Sequence, residues 1–156
     1  MNLNMDTATH TQVVSLRAYS HEELDSLLRE HGINPTAQRM EIARGMFSRG
    51  GHFSAEDVFA LVNADQPQVS KATVYNTLGL FAEKGLIRQV IVDPTRVFYD
   101  PNMAPHYHFY DVSTGKLTDI SAADVRITGL PPLPAGAKME GVDVIVRMRH
   151  SVPEAS

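Results

Sequence analysis

Apolar residues recur at helical spacing through residues 20–84, and the breaks between the runs carry capping and turn residues. Ser20 stands three residues before Glu23, the spacing of a capping box, and Leu24, Leu27 and Leu28 follow on one face. A first helix is therefore predicted over 20–31, closed by Gly32. Asn34-Pro35-Thr36 opens a second, with Met40, Ile42, Ala43, Met46 and Phe47 as its buried stripe and Gly50-Gly51 as its stop. Ser54 caps a third, in which Val58, Phe59, Leu61 and Val62 are apolar, and Asp65-Gln66-Pro67 breaks the chain. Ser70 caps a fourth that runs to about Lys84, with Val74, Leu78 and Phe81 spaced i, i+4, i+7 and Gly85 at its end.

The period then changes. Residues 86–92 read as a strand, 93–95 as a turn and 96–99 as a second strand. Helices followed by a hairpin are the layout of a winged helix–turn–helix, in which the last helix reads DNA. Beyond Asp100-Pro101-Asn102 the pattern is mainly β. Strands at 106–111 and 116–120 flank a turn at Gly115, and the Pro- and Gly-rich stretch 129–138 is a loop. Val142, Val144, Val146 and Met148 alternate with Asp143, Ile145, Arg147 and Arg149, which predicts a closing strand with one buried face, and with no cysteine the apolar set is expected to carry the contact between two chains. Residues 1–19, polar and mixed, read as a flexible arm.

The 156 residues allow one domain or two small ones, and 43% hydrophobic with 21% charged residues is ordinary globular usage. The absence of cysteine excludes disulfides, thiolate metal sites and cysteine nucleophiles. No apolar run approaches membrane-spanning length and the start lacks a signal-peptide pattern, so a soluble, cytoplasmic protein is expected. A net charge of −4 argues against a protein that coats nucleic acid and leaves room for a small, specific contact surface.

On the fourth helix, Lys71, Thr73, Tyr75, Asn76 and Thr77 cannot all share the inward face of Val74 and Leu78. Lysine suits phosphate or guanine, asparagine suits adenine, and threonine and tyrosine suit thymine methyls or phosphate. A solvated polar face with Tyr75 packed would read the same; the following hairpin, with Arg88 and Arg96 as backbone contacts, favours DNA. His106 and His108, two apart on a strand, point to one side. Asp100 precedes that strand, Asp119 lies on its expected partner, and His52 sits in the connection before the third helix. Three imidazoles and two carboxylates without sulfur suit Fe²⁺, Mn²⁺ or Zn²⁺, although two satisfied histidines would look identical in sequence.

Ser54-Ala55-Glu56-Asp57, then Ala72-Thr73-Val74-Tyr75-Asn76-Thr77-Leu78, His106-x-His108 and Gly115-Lys116 together resemble the ferric uptake regulator family over about residues 20–150. The resemblance implies an α+β protein with an N-terminal winged helix–turn–helix and a small C-terminal α/β dimerisation domain. It implies a bacterial, dimeric, metal-responsive repressor that binds double-stranded DNA at an A/T-rich inverted repeat. Its division would be a winged helix over 20–92, a hinge over 93–102 and a dimerisation and sensing domain over 103–156. The family's regulatory metal site maps onto His52, Asp100, His106, His108 and Asp119. Its DNA contacts map onto Arg39 and Tyr75, with Lys71, Thr73, Asn76 and Thr77 beside them. Asn34 stands where members often place a basic residue for the minor groove.

Two departures mark a branch. The family's structural zinc is usually held by two Cys-x-x-Cys pairs; the first would fall at Asp111 and Thr114, so that four-cysteine zinc is absent. The chain also closes on its valine strand without the usual last helix. With Asp100-x-Asn102 and Phe109, these features resemble the iron response regulator branch, which senses iron through haem as well as metal and would place haem at His106 or His108. That branch often has three consecutive histidines, where this chain has Tyr107 in the middle, and no Cys-Pro haem motif exists. Three His with two Asp instead resembles the peroxide-sensing branch. A metallohydrolase is a distant alternative: His21-Glu22-Glu23 lacks the second histidine of a zincin, and no P-loop, nucleophile elbow or dinucleotide fingerprint is present, so no enzyme activity is expected. A winged-helix protein that binds a protein partner without metal is the other. His10, His21, His31 and His150 read as surface or capping histidines.

Overall fold

The computed structural model describes residues 18–151; of the arm expected over 1–19, all but the last two residues lie outside them. Four helices come first: α1 (His21–Glu30), α2 (Ala37–Arg49), α3 (Ala55–Val62) and α4 (Lys71–Glu83). Each starts at a hydroxyl. Ser20, Thr36, Ser54 and Ser70 accept from the backbone N–H three residues on, and the boxes at Ser20/Glu23 and Ser54/Asp57 close in both directions. Thr36 is the N-cap of α2, so Pro35 precedes the helix and does not take its first position. The turn between α3 and α4 is held by Asn63, whose amide donates to the carbonyls of Phe59 and Val69 and accepts from the N–H of Gln68 and Val69.

Leu24, Leu28, Met40, Ile42, Met46, Val58, Val74, Leu78 and Phe81 meet in one core. Gly45 lets α2 approach α3, since a Cβ there would stand 3.0 Å from Leu61 Cδ2. After α4, β1 (Arg88–Asp93) and β2 (Arg96–Asp100) form an antiparallel hairpin. Its strands alternate between two environments. Val97 and Tyr99 pack toward the helices, while Val90, Val92 and Phe98 join Tyr110, Leu117 and Ile145 in a second core.

That second core belongs to a sheet of order β4-β3-β5, built from β3 (His106–Asp111), β4 (Lys116–Ser121) and β5 (Ile145–Met148). β3 and β4 are antiparallel across the Gly115 turn, where φ is +74°. β5 runs parallel to β3 and reaches it by a crossover that holds only a short 3-10 turn, Ala122–Asp124. Prolines at 131, 132 and 134 remove the donors a crossover helix would need. The fold is thus α+β, a winged helix–turn–helix joined to a small sheet.

Arg96–Asp100 extends the expected second hairpin strand by one residue, paired with β1, and the irregular connection after it is residues 101–105. On β5 the side turned to the core is that of Ile145. Ile145 joins the core and Arg147 donates to the Val92 carbonyl at 2.6 Å, while Val146 is 41% exposed beside Phe109 on the outer face. The parallel register with β3 decides this, because Ile145 stands opposite the inward-facing His108.

Candidate metal centre

Two strand pairings and the period of one strand assemble the five sequence-predicted residues. Phe53 and Tyr99 form an isolated antiparallel bridge, with N–H to O distances of 3.1 and 2.7 Å, which sets His52 beside Asp100 at the end of β2. The β3–β4 register puts Asp119 opposite His108 on the inner face. The two-residue period of β3 adds His106 to the same face. The side chains of His52, Asp100, His106, His108 and Asp119 each bring one ligand atom to a common point, all within 4.8 Å of one another.

A single oxygen is the focus. Asp100 Oδ2 lies 2.7 Å from His106 Nε2, 3.2 Å from His52 Nε2 and 3.3 Å from His108 Nε2. Asp119 Oδ1 lies 2.8, 3.7 and 3.5 Å from the Nε2 atoms of His52, His106 and His108. The surroundings aim these atoms. Asp100 Oδ1 accepts the Asn102 N–H at 2.9 Å, leaving Oδ2 for the cluster. His106 Nδ1–H donates to the Ala104 carbonyl at 2.6 Å, so in the neutral ring Nε2 carries the lone pair.

The donor set fits a divalent cation. Neutral imidazole nitrogens and carboxylate oxygens repel at these distances unless protons or a cation lie between them. Adjacent donors about 2.1 Å from a shared centre stand about 3.0 Å apart. Nitrogen with oxygen and no sulfur suits Fe²⁺, Mn²⁺ or Zn²⁺. Burial opposes charge on His52, but the hydrogen bond and charge of Asp100, then those of Asp119, hold its pKa above the ordinary value. Burial likewise pushes Asp100 up, and hydrogen bonds from His108, His52 and the Asn102 N–H hold it far below the carboxylate range. Asp119 is 51% exposed while Asp100 is 3% exposed, so the cluster opens to solvent on one side. A cleft of about 570 Å³ bordered by Tyr19, Phe47, Arg49 and Met103 leads to it.

Haem does not fit at His106 or His108. Both rings are buried and both Nε2 atoms are engaged in the carboxylate cluster, so a porphyrin could reach either only by dismantling it.

On α4, Lys71, Tyr75 and Asn76 are exposed and Thr73 is partly so, bonded to the N-cap Ser70. Thr77 departs from expectation: it is 5% exposed, in the buried row with Val74 and Leu78, at the floor of the groove between α2 and α4. Arg39 lies at the rim of that groove with its guanidinium donating to the Asn34 carbonyl at 2.9 Å. Arg96, expected to reach a DNA backbone, lies against the β3–β4 turn, its Nη1 2.8 Å from where a Cβ on Gly115 would stand.

Sequence reasoning missed three side chains. Glu56 accepts the Tyr75 hydroxyl, with no signal beyond its place in the third helix's first turn. Asn63 clasps the α3–α4 turn. His150, read as a surface or capping residue, places Nδ1 2.6 Å from Oδ2 of buried Asp111, at the end of β3. His31 does occupy the α1 C-cap, with Nδ1 2.8 Å from the Leu27 carbonyl.

The family model of the ferric uptake regulators matches residues 30–130. The peroxide-responsive repressor PerR of Staphylococcus aureus is 32% identical over 108 residues, 68% of this chain and 73% of its own. The manganese-bound ferric uptake regulator of Pseudomonas aeruginosa has 25% identity and a TM-score of 0.63, over 82% of this chain and 98% of its own. The ferric uptake regulator of Vibrio cholerae has the same fold at 16% identity, with a TM-score of 0.62 over 81% and 98%. Among the described residues no helix is long and apolar enough to cross a membrane.

Proposed function

The chain belongs to the ferric uptake regulator family, whose members are metal-responsive transcription regulators, and we propose that it is a cytoplasmic repressor controlling iron-homeostasis genes through divalent metal held at His52, Asp100, His106, His108 and Asp119. The observation that carries this reading is the composition of the cluster across the fold. His52 comes from the connection between α2 and α3, whereas His106, His108 and Asp119 come from the C-terminal sheet. When bound, the cation supplies the positive charge that lets two carboxylates and three imidazoles share one point.

The chain's own residues do the rest. Asp100, at the end of β2, faces all three imidazoles and anchors the site, and His52 ties the helical region to the sheet. A tie of this kind biases the angle between the two regions by its different strength in each arrangement. Two copies pairing through their C-terminal sheets would present two α4 helices to the half-sites of an A/T-rich inverted repeat. There Lys71, Thr73, Tyr75, Asn76 and Arg39 would meet the groove and its rim. The iron response branch is supported by the missing cysteines, with Fe²⁺ as the signal and no step through haem.

A second reading, peroxide sensing, is favoured by the three-His, two-Asp donor set and by the 32% identity to the peroxide-responsive repressor. The test is anisotropy of a duplex selected from a random pool, with the metal-free protein and with Fe²⁺ or Mn²⁺, before and after peroxide. Metal-dependent binding that His52→Ala abolishes supports a metal-responsive repressor. Loss of binding with an added oxygen on a ligand histidine selects the peroxide reading. Equal binding to random duplex at physiological salt overturns both.

A further inference from the structure

The exposed band of α4 runs through Lys71, Ala72, Tyr75, Asn76 and Gly79, and Tyr75 at its centre is 43% exposed. Its hydroxyl is not free. It donates to Glu56 Oε1, on the first turn of α3. A phenol has one proton to give and oxygen lone pairs that accept. With that proton committed, the Tyr75 oxygen can only accept from any further partner. Phosphate oxygens are themselves acceptors, and the Glu56 carboxylate beside them would repel their charge. In the major groove, the exocyclic amino groups of adenine and cytosine are donors.

We propose that Glu56 is a specificity-determining positioning residue, which takes the Tyr75 hydroxyl proton and so leaves an outward oxygen that fits the amino group of adenine or cytosine and rejects phosphate. The inference rests on the reading of α4 as the helix that enters the groove. It explains how a tyrosine on an exposed face can discriminate rather than hold backbone. Lys71, one turn earlier, supplies positive charge near Glu56 and remains the phosphate partner on this band.

The pair can be tested with and without DNA. Tyr75 ionisation is read by ultraviolet difference titration of the protein against Tyr75→Phe. The hydrogen bond to Glu56 holds the phenol above its ordinary pKa, and Glu56→Ala should lower it. For recognition, the metal-loaded dimer is titrated with its selected duplex and with random duplex at fixed salt. Glu56→Ala should lower the ratio of random to selected Kd by about tenfold, the order of one base-pair mismatch. It should also tighten binding to random duplex, as the released Tyr75 hydroxyl donates to a phosphate oxygen. Tyr75→Phe added to Glu56→Ala should remove that extra binding to random duplex. Glu56→Gln keeps an acceptor oxygen and should hold the ratio within about threefold of wild type. If the alanine variant folds poorly, Tyr75→Phe alone is the reading: it removes the outward oxygen and should lower the ratio as Glu56→Ala does, and a wild-type ratio for it overturns the proposal. A Glu56→Ala protein with an unmoved phenol, or with the wild-type ratio, overturns the proposal. Wild-type protein that selects no duplex overturns the DNA reading and this inference with it, while the phenol titration alone separates a broken Glu56–Tyr75 pair from a failed function.

Discussion

His108 and Asp119 stand directly opposite each other on β3 and β4 with Nε2 and Oδ1 3.5 Å apart, yet the histidine is buried and the aspartate half exposed. The cluster therefore has a closed floor, Asp100 with His106 and His108, and an open lip at Asp119. Ligand exchange should begin at that lip.

Asp119→Ala should bind one Mn²⁺ per chain with affinity reduced by about 10–100-fold, comparable to losing a supporting group around a metal, and release it faster to a chelator. Asp100→Ala should lose more, because its Oδ2 faces all three imidazoles within 3.3 Å. Calorimetry and stopped-flow chelation read both. An Asp100 variant that binds better than the Asp119 variant would contradict the floor-and-lip arrangement.

The response to pH has two signs. In the metal-free chain the folded pKa of His52 is raised above 6.5, so its stabilisation is present below that value and fades as pH rises through the folded pKa. Asp100 is shifted down, so its stabilisation is present above 3.8 and is lost only as pH falls through its much lower folded value. Metal binding needs the histidines deprotonated and so strengthens as pH rises. The gain in melting temperature on adding Mn²⁺ should accordingly be larger at about pH 8 than at about pH 6. A gain that is flat or falls over this range would show that protons do not compete at these nitrogens.

For the proposed pairing of two chains through their C-terminal sheets, the outer face offers Phe109 and Val146, adjacent and exposed. The dimer should persist in excess chelator, whereas Val146→Glu, placing a charge on that face, should give monomers by light scattering. Dissociation on chelation of the unaltered protein would mean that metal holds the copies together.

Lys71 is the exposed first residue of α4. Lys71→Ala should weaken binding to selected and random duplexes alike and reduce the magnitude of the log K against log salt slope by about one, the signature of one phosphate contact. A loss confined to the selected sequence would instead place Lys71 on a base.

The linear order of residues determined much of this protein because the forces involved are local. Hydroxyls at 20, 36, 54 and 70 start the four helices, since a cap acts on an N–H three residues away. The i, i+4, i+7 row of Val74, Leu78 and Phe81 marks the buried side of α4, and the period of two puts His106 and His108 on one face. Donor chemistry made His52, Asp100 and Asp119 candidates beside that pair, and the family resemblance joined the five into one site. What tertiary structure decided depends on register and on neighbours distant in sequence. The parallel pairing with β3 decided which side of the alternation is buried within one chain, turning Ile145 inward and Val146 out. The hairpin carried strand pairing one residue past the expected end, to Asp100. Packing drew Thr77 from the reading face into the core, and Glu56 and His150 found partners 19 and 39 residues away. A one-residue change in strand register reverses every face, and no local preference along the chain records which register wins.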